Sequence, residues 1–195
     1  MLANANIDAF LAGWFHDHLS PAFVMFLQVL SGPGSEYCIL SLVVLTVLGL
    51  AWRRSWSALL MLFITVPGGA LMGELLKSLV QRHRPFVSGP FGEWGGYSFP
   101  SGHTIAATLL YGFLALLFAD AIRRHHPGRW HWLPFFISAV LIAAVGFSRV
   151  ALGAHYFTDV LAAMILGSLW IATCTTSLSL LRRLKASPAS APSSN

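Results

Sequence analysis

The feature that most constrains this chain is a series of apolar segments long enough to cross a lipid bilayer. An α-helix needs roughly 20 predominantly apolar residues to span the hydrocarbon core, with some tolerance. Five segments meet this condition, and they run over residues 36–52, 55–77, 101–119, 132–148 and 155–181. These segments are too long for strands, and they lack the alternation of apolar and polar residues that strands show. We therefore predict an all-α integral membrane protein.

The composition agrees with this prediction. Hydrophobic residues make up 56% of the 195 residues and charged residues 10%, whereas a soluble domain averages about 25% charged residues. The net charge of +5 comes from short clusters between apolar segments, which is unlike the basic face of a nucleic-acid-binding domain. Cys38 and Cys174 each lie in an apolar segment and are interpreted as buried apolar residues. We expect one domain and no nucleic-acid partner.

The first 35 residues leave two topologies open. Apolar residues from Ile7 to Phe15 fall at helical spacing, and Pro21 interrupts the helix that they predict. A second apolar stretch, residues 22–30, ends at Ser31-Gly32-Pro33-Gly34-Ser35. We favour an interfacial helix followed by a short re-entrant piece, and the alternative is one bent sixth span. The predicted divisions are an N-terminal segment at 1–35, a catalytic membrane domain at 36–185 and a disordered Ser/Ala/Pro-rich tail at 186–195.

The positions of the basic residues predict how the five segments are oriented. If the segments alternate in direction, one side carries Arg53, Arg54, Arg123, Arg124, Arg129, Arg182, Arg183 and Lys185. The positive-inside rule makes that side cytoplasmic. The remaining basic residues fall at the outer ends, against the rule, and these are Lys77, Arg82, Arg84 and Arg149. A cluster of cations at that depth needs another explanation.

Two stretches at the outer ends predict an anion-binding site. Lys77 ends one segment, and Arg84-Pro85 follows in the next loop. Two cations held close together favour a bound anion, and the planar fork of Arg suits phosphate. Pro100-Ser101-Gly102-His103 precedes the third segment. At a helix start, free backbone N–H groups and the positive end of the helix dipole also favour an anion.

A third stretch supplies a possible nucleophile. It contains Ser148-Arg149, then His155 and Asp159. His155 and Asp159 are four residues apart, so on a helix they would share one face. We expect Asp159 to accept the Nδ1–H of His155, which leaves Nε2 free to attack. The three stretches together meet the needs of phosphoryl transfer, and we expect the cations to take the place of a metal, with no cofactor.

These three stretches resemble the type 2 phosphatidic acid phosphatase (PAP2) superfamily. The pattern of that family is K-x6-R-P, then P-S-G-H, then S-R-x5-H-x3-D, and every position is filled here in order. The motifs lie within residues 73–167. The resemblance implies a PAP2-like helical bundle of five or six transmembrane helices, with the catalytic pocket at its outer boundary.

The resemblance also implies a role for each matching residue. His155 would attack phosphorus and form a phosphohistidine, and Asp159 would orient it. His103 would protonate the leaving group and then activate water. The phosphate would be held by Lys77, Arg84, Ser101, Gly102 and Arg149.

We therefore expect metal-independent hydrolysis of a lipid phosphate monoester or a lipid pyrophosphate. The candidate substrates are phosphatidic acid, phosphatidylglycerol phosphate and undecaprenyl pyrophosphate. We expect a bacterial cytoplasmic membrane, with the site facing the periplasm or the exterior. The alternatives are a lipid phosphotransferase of the same family and a non-catalytic phospholipid-binding or transport protein. The lipid and the oligomeric state stay open.

Several residues beside the motifs receive structural interpretations. Glu74 lies one turn before Lys77 and is expected to pair with it. Arg82 and His83 are interpreted as solvated loop residues, and Ser148 as a residue that caps or packs.

Overall fold

The structure, a computed structural model, describes residues 2–86, 88–89, 92–126, 128 and 130–186. These residues form α1 (Leu2–His18), α2 (Pro21–Ser31), the short 3-10 helix η1 (Gly32–Gly34), α3 (Glu36–Trp52), α4 (Trp56–Val80), α5 (Gly102–His125), α6 (Leu133–Ala151) and α7 (Phe157–Ala186). The loop after α4 contains one short antiparallel pair, β1 (Ser88–Gly89) and β2 (Gly92–Glu93). The predicted all-α class is confirmed.

Within the described residues, five helical stretches are long and apolar enough to cross a membrane. They are Pro21–Trp52, Trp56–Val80, Gly102–His125, Leu133–Ala151 and Phe157–Leu181. The first joins α2, η1 and α3, and α3 has the bounds that the sequence predicts. The choice between an interfacial segment and a sixth span for residues 1–35 stays a prediction. Of the predicted tail, only Ala186 falls in the described residues, where it ends α7.

Local sequence explains where the helices next to the site begin and end. Ser35 caps α3, because its Oγ accepts a hydrogen bond from the Cys38 backbone N–H at 3.4 Å. Gln81 ends α4 in the left-handed conformation, with φ of 49°. Its N–H donates to the carbonyl of Lys77 at 3.1 Å. The loop therefore leaves the helix within one turn of Lys77.

The centre of the bundle is α5, which packs against α4, α6 and α7. Small residues allow these helices to approach closely, as is common in membrane bundles. A Cβ added at Gly69 on α4 would lie 2.6 Å from the side chain of Leu109 on α5. On the outside of the bundle, large apolar side chains are exposed, including Leu45, Leu48 and Phe136. Such an exposed apolar surface fits contact with lipid.

The alternating helices give the bundle two distinct ends. The start of α5 lies beside the end of α4 and the start of α7 at one end, which we call the site end. At the opposite end, one cavity is lined by Ser57, Asp120, Arg123 and Ser179. Arg53 and Arg54 also follow the last residue of α3 at the opposite end, as the alternation predicts. Arg129 lies outside the described residues.

Candidate active site

The structure brings the three motif stretches together at the site end. Arg84, from the loop after α4, donates through Nη1 to the carbonyl of Ala154 at 2.7 Å. The same Nη1 lies 3.3 Å from Nε2 of His155. At the start of α5, the backbone N–H of Ser101 donates to the carbonyl of Asp159 at 3.4 Å. Residues far apart in sequence thus surround one imidazole.

A tight loop between α6 and α7 presents His155. The chain turns at Gly153, whose φ of +69° favours glycine. A Cβ there would also lie 2.9 Å from the ring of Phe86. The backbone N–H groups of Ala154 and His155 then donate to the carbonyl of Arg149, at 3.1 and 3.3 Å. These two hydrogen bonds fold the loop back onto the end of α6, and so they fix the position of His155 relative to Arg149.

The partners of His155 define its tautomer. Its Nδ1 lies 2.7 Å from the carbonyl oxygen of Ser98, which can only accept. Its Nε2 faces the guanidinium of Arg84, which can only donate. A neutral ring therefore carries its proton on Nδ1 and its lone pair on Nε2. Burial lowers the pKa of His155 well below its usual value, and the nearby charges of Arg84 and Arg149, with the ring of His103, lower it further.

The predicted contact between Asp159 and His155 is wrong. Helix α7 begins at Phe157, so His155 lies in the preceding loop and the two residues do not share a helix face. Asp159 instead accepts from the backbone N–H of Tyr156 at 3.0 Å and from the hydroxyl of Ser98. A carboxylate in the first turn that binds the residue before its helix is half of a capping box. Ser98 connects the two groups, because its hydroxyl donates to Asp159 while its carbonyl accepts from His155.

Lys77 lies at the edge of the site, close to the start of α5. Its Nζ pairs with Oε1 of Glu74 at 2.7 Å, which confirms the predicted pair. The same Nζ is 3.7 Å from the position that a Cβ on Gly102 would occupy. The missing side chain at Gly102 leaves space for a ligand beside the ammonium group. Among the described residues, no group of three or more His, Cys, Asp and Glu side chains is placed to hold a metal ion.

Arg149 is the most buried cation of the site, with 5% of its surface exposed. Its Nη1 donates to the hydroxyl of Ser31 at 3.1 Å, and its guanidinium lies 4.6 Å from the ring centre of Trp94. Its Nε has no hydrogen-bond acceptor among the described residues. A buried donor without an acceptor is costly, and a phosphate oxygen would satisfy it. The sequence did not point to Ser31 or Trp94 as neighbours of this guanidinium.

Two serines of the motifs have internal partners. The Ser101 hydroxyl lies 3.0 Å from Oγ1 of Thr104. The backbone N–H of Ser101 donates to Asp159, so it is not free for an anion as the sequence suggested. The amides that follow it in the first turn of α5 have no acceptor within the helix. The Ser148 hydroxyl donates to the carbonyl of Val145 at 2.7 Å, which agrees with a packing role.

Arg82 is part of the site's support, and its interpretation as a solvated loop residue is wrong. It makes ion pairs with Asp8 of α1 at 2.8 Å and with Asp159 at 2.6 Å. Its guanidinium also lies 4.2 Å from the ring centre of Tyr156. His83 is exposed, as expected. The signal that could have found this contact is Asp8 itself, an acidic residue on the apolar face of α1.

A cavity of about 590 Å³ lies between α3, α4 and α5 and reaches the site at His103. Gly102, Glu36 and Glu74 line it together with His103. The rest of its lining is apolar and follows the membrane-spanning helices, and it includes Ile39, Leu40, Val43, Val66, Ala70, Leu71 and Ile105. His103 therefore lines this apolar groove, and its ring is also among the groups that act electrostatically on His155.

Comparison with known proteins matches the chain to one family. The PAP2 superfamily model covers residues 54–183, well over half of the chain. Phosphatidylglycerophosphatase B of Bacillus subtilis is 33% identical over 139 residues, which cover 70% of this chain and 66% of that protein. Undecaprenyl-diphosphatase of Sulfolobus acidocaldarius is 31% identical over 147 residues, which cover 73% of this chain and 64% of that protein. The chain thus spans just under two thirds of the length of these relatives.

A solved structure has the same architecture. The crystal structure of a transmembrane PAP2-type phosphatidylglycerolphosphate phosphatase from Bacillus subtilis superposes with a TM-score of 0.78. The two chains are 26% identical, and the match covers 92% of this chain and 88% of the other.

Proposed function

Because this chain belongs to the PAP2 superfamily, we propose that it is a membrane-embedded phosphatase that hydrolyses a lipid phosphate or lipid pyrophosphate through a phosphohistidine at His155. The observation that carries the proposal is the position of His155 Nε2, which lies 3.3 Å from Nη1 of Arg84 and carries the lone pair of the neutral ring. A phosphoryl group held by Arg84 would lie directly in front of the attacking nitrogen. The buried, unsatisfied Nε of Arg149 offers a second donor to the same group.

In the first step, Nε2 of His155 attacks phosphorus while the bond from phosphorus to the lipid oxygen breaks. The departing oxygen takes a proton from His103, and the lipid leaves as an alcohol or, from a pyrophosphate, as a monophosphate. Lys77, Arg84 and Arg149 neutralise the equatorial oxygens in the transition state. The carbonyl of Ser98 holds the Nδ1–H and stabilises the ring as it becomes positively charged.

In the second step, water attacks the phosphohistidine. His103, now neutral, accepts a proton from that water, and the bond between phosphorus and Nε2 breaks. Inorganic phosphate leaves, and His155 returns to the neutral Nδ1–H form. Asp159 contributes to both steps by holding Ser98, because its carboxylate accepts a hydrogen bond from the Ser98 hydroxyl. The cycle consumes one water and needs neither a metal nor a cofactor.

The shape of the site supports a lipid as the substrate. The apolar groove that ends at His103 runs along helices that face the bilayer. A lipid tail in this groove would stay in an apolar environment while its head group reached the cations. The names of the matched relatives favour phosphatidylglycerol phosphate and undecaprenyl pyrophosphate as candidates, and phosphatidic acid is the simplest monoester to add. We place the site at the outer face of a bacterial cytoplasmic membrane.

The test is phosphate release by the purified protein in detergent with a metal chelator. The three candidate lipids are supplied in turn, and we expect release from at least one. His155→Ala should abolish this release, because it removes the attacking nitrogen. His131→Ala is the matched control and should retain full activity, since His131 is exposed beyond α5, away from the site end.

Other outcomes would contradict the proposal. A phosphorylated acceptor in place of inorganic phosphate would indicate a phosphotransferase. Lipid binding that survives His155→Ala, with no turnover by the parent, would indicate a binding or transport protein.

A further inference from the structure

A buried carboxylate on α1, outside the three motif stretches, is connected to the site by hydrogen bonds. Asp8 is 4% exposed. Its Oδ2 accepts from Nη2 of Arg82 at 2.8 Å and from the hydroxyl of Thr158, and its Oδ1 accepts from the Thr158 backbone N–H at 3.0 Å. Three donors from two distant parts of the chain thus converge on one carboxylate.

Arg82 joins this carboxylate to a second one. Its Nη1 donates to Oδ1 of Asp159 at 2.6 Å and to the hydroxyl of Thr158 at 2.7 Å. The side chains of Asp8 and Asp159 are 5% and 0% exposed, so solvent ions screen these pairs only weakly. A guanidinium is planar, and its two ends hold the carboxylates at a fixed separation.

The connection continues from Asp159 to the imidazole. Asp159 accepts a hydrogen bond from the hydroxyl of Ser98, and the carbonyl of Ser98 accepts one from the Nδ1–H of His155. Each group in the series is thus held by the one before it. The series begins on α1, which has no motif residue, and ends at the proposed nucleophile.

We propose that Asp8 and Arg82 are positioning residues for His155. By holding Asp159 in place, they align Ser98 so that its carbonyl keeps the ring in the Nδ1–H form with Nε2 toward the phosphate. A purely mechanical anchor for α1 does not require this arrangement, because apolar packing against α6 and α7 would fix the helix without burying two carboxylates around a partly exposed guanidinium. The ion pairs with Arg82 add a fixed position for the carboxylate of Asp159. This inference rests on the proposed role of His155 as the nucleophile.

The test compares Asp8→Asn and Arg82→Lys with Asp17→Asn. Asp17 is exposed on the same helix, so its variant removes the same charge without touching the site. We expect kcat to fall roughly tenfold in both site variants with KM nearly unchanged, by analogy with outer partners of oriented imidazoles. Lysine keeps the charge but has a single nitrogen, so it loses the planar fork whose two ends hold Asp8 and Asp159 at a fixed separation. Asp17→Asn should behave as the parent does.

A double variant tests whether the two residues act as a unit. If they do, Asp8→Asn combined with Arg82→Lys should lose no more kcat than the worse single variant. Independent losses that multiply would contradict a shared role.

A spectroscopic measurement separates positioning from simple stability and does not need turnover. In protein labelled with ¹⁵N-histidine, the ring signals of His155 are assigned by their loss in His155→Gln. We expect the parent and Asp17→Asn to show the Nδ1–H form, and Asp8→Asn and Arg82→Lys to show a mixture of tautomers. Parent-like signals and kcat in Asp8→Asn, with only a lower Tm, would overturn the inference. If the parent releases no phosphate from any lipid, the proposed function fails, while these signals still decide the positioning claim.

Discussion

At the scale of single residues, the proposed chemistry depends on keeping one imidazole neutral among cations. Burial lowers the pKa of His155, and Arg84 and Arg149 lower it further. A histidine with a lowered pKa stays unprotonated to a lower pH than a solvated one. The same cations that would bind phosphate therefore also keep the proposed nucleophile in its neutral form.

This gives a prediction for the titration of His155. In the ligand-free protein, its ring should remain neutral at pH 6.5 and protonate only at lower pH. Arg149→Gln removes one positive neighbour and should raise the pKa of His155. Arg124→Gln, at the opposite end, should leave it unchanged. The measurement is an NMR titration of ¹⁵N-histidine protein, and a midpoint for His155 at or above 6.5 would contradict the account.

A second prediction concerns the unsatisfied Nε of Arg149. If this donor binds a phosphate oxygen, Arg149→Lys should weaken inhibition by inorganic phosphate, because lysine keeps the charge but loses the planar fork. One charge-assisted hydrogen bond contributes about 1.5 kcal/mol or more, which corresponds to roughly a tenfold rise in the inhibition constant. Arg123→Lys at the opposite end is the matched control. Equal inhibition constants for Arg149→Lys and the parent would remove Arg149 from the phosphate site.

The residues that come together at the site could be predicted, but most of their partners, apart from Glu74 beside Lys77, could not. Spacing and residue type were enough to nominate Lys77, Arg84, His103 and His155, because phosphate chemistry needs cations and an imidazole at one depth. The contact of Asp159 depended on whether α7 begins before or after His155, and spacing alone does not decide this. Arg82 was missed because its partner Asp8 lies 74 residues away, and no local pattern connects them.

At the scale of secondary-structure elements, the loop between α6 and α7 determines where the proposed nucleophile, His155, lies. Gly153→Ala should place a Cβ in the left-handed region, which costs about 1–2 kcal/mol, and also against the ring of Phe86. We expect a lower Tm and a loss of activity, since His155 follows two residues later. Gly128→Ala is the control, because Gly128 also has a positive φ but nothing within 4 Å of an added Cβ. We expect Gly128→Ala to introduce similar backbone strain but to retain full activity. Full activity in Gly153→Ala would argue against a fixed loop.

The membrane helices were predictable because length and hydrophobicity alone define them. The α3 bounds agree with the sequence, and α4 to α7 overlap the predicted segments. The N-terminal elements were harder to predict, because α2 and α3 are joined through η1 into one apolar stretch of 32 residues. The Gly-Pro-Gly sequence suggested a break, and the structure instead accommodates it as a turn of 3-10 helix.

At the scale of the whole molecule, the account requires the two ends of the bundle to lie on opposite sides of a membrane. His83 is exposed at the site end and His131 at the opposite end. In a background with Cys38 and Cys174 replaced by Ser, H83C should react with a membrane-impermeant thiol reagent applied to intact cells. H131C should react only after the cells are opened. The reverse pattern would contradict the outward orientation of the site.

The bundle as a whole brings a buried imidazole, three cations and an apolar groove to one place. The central claim is that His155 becomes covalently phosphorylated during turnover. The most direct measurement is rapid quenching of the protein with a ³²P-labelled lipid phosphate, followed by mapping of the labelled peptide. The account predicts acid-labile, base-stable label on His155 that appears before the phosphate is released and is absent from His155→Ala. Label on another residue, or phosphate release by the parent with no labelled protein at any time, would contradict it.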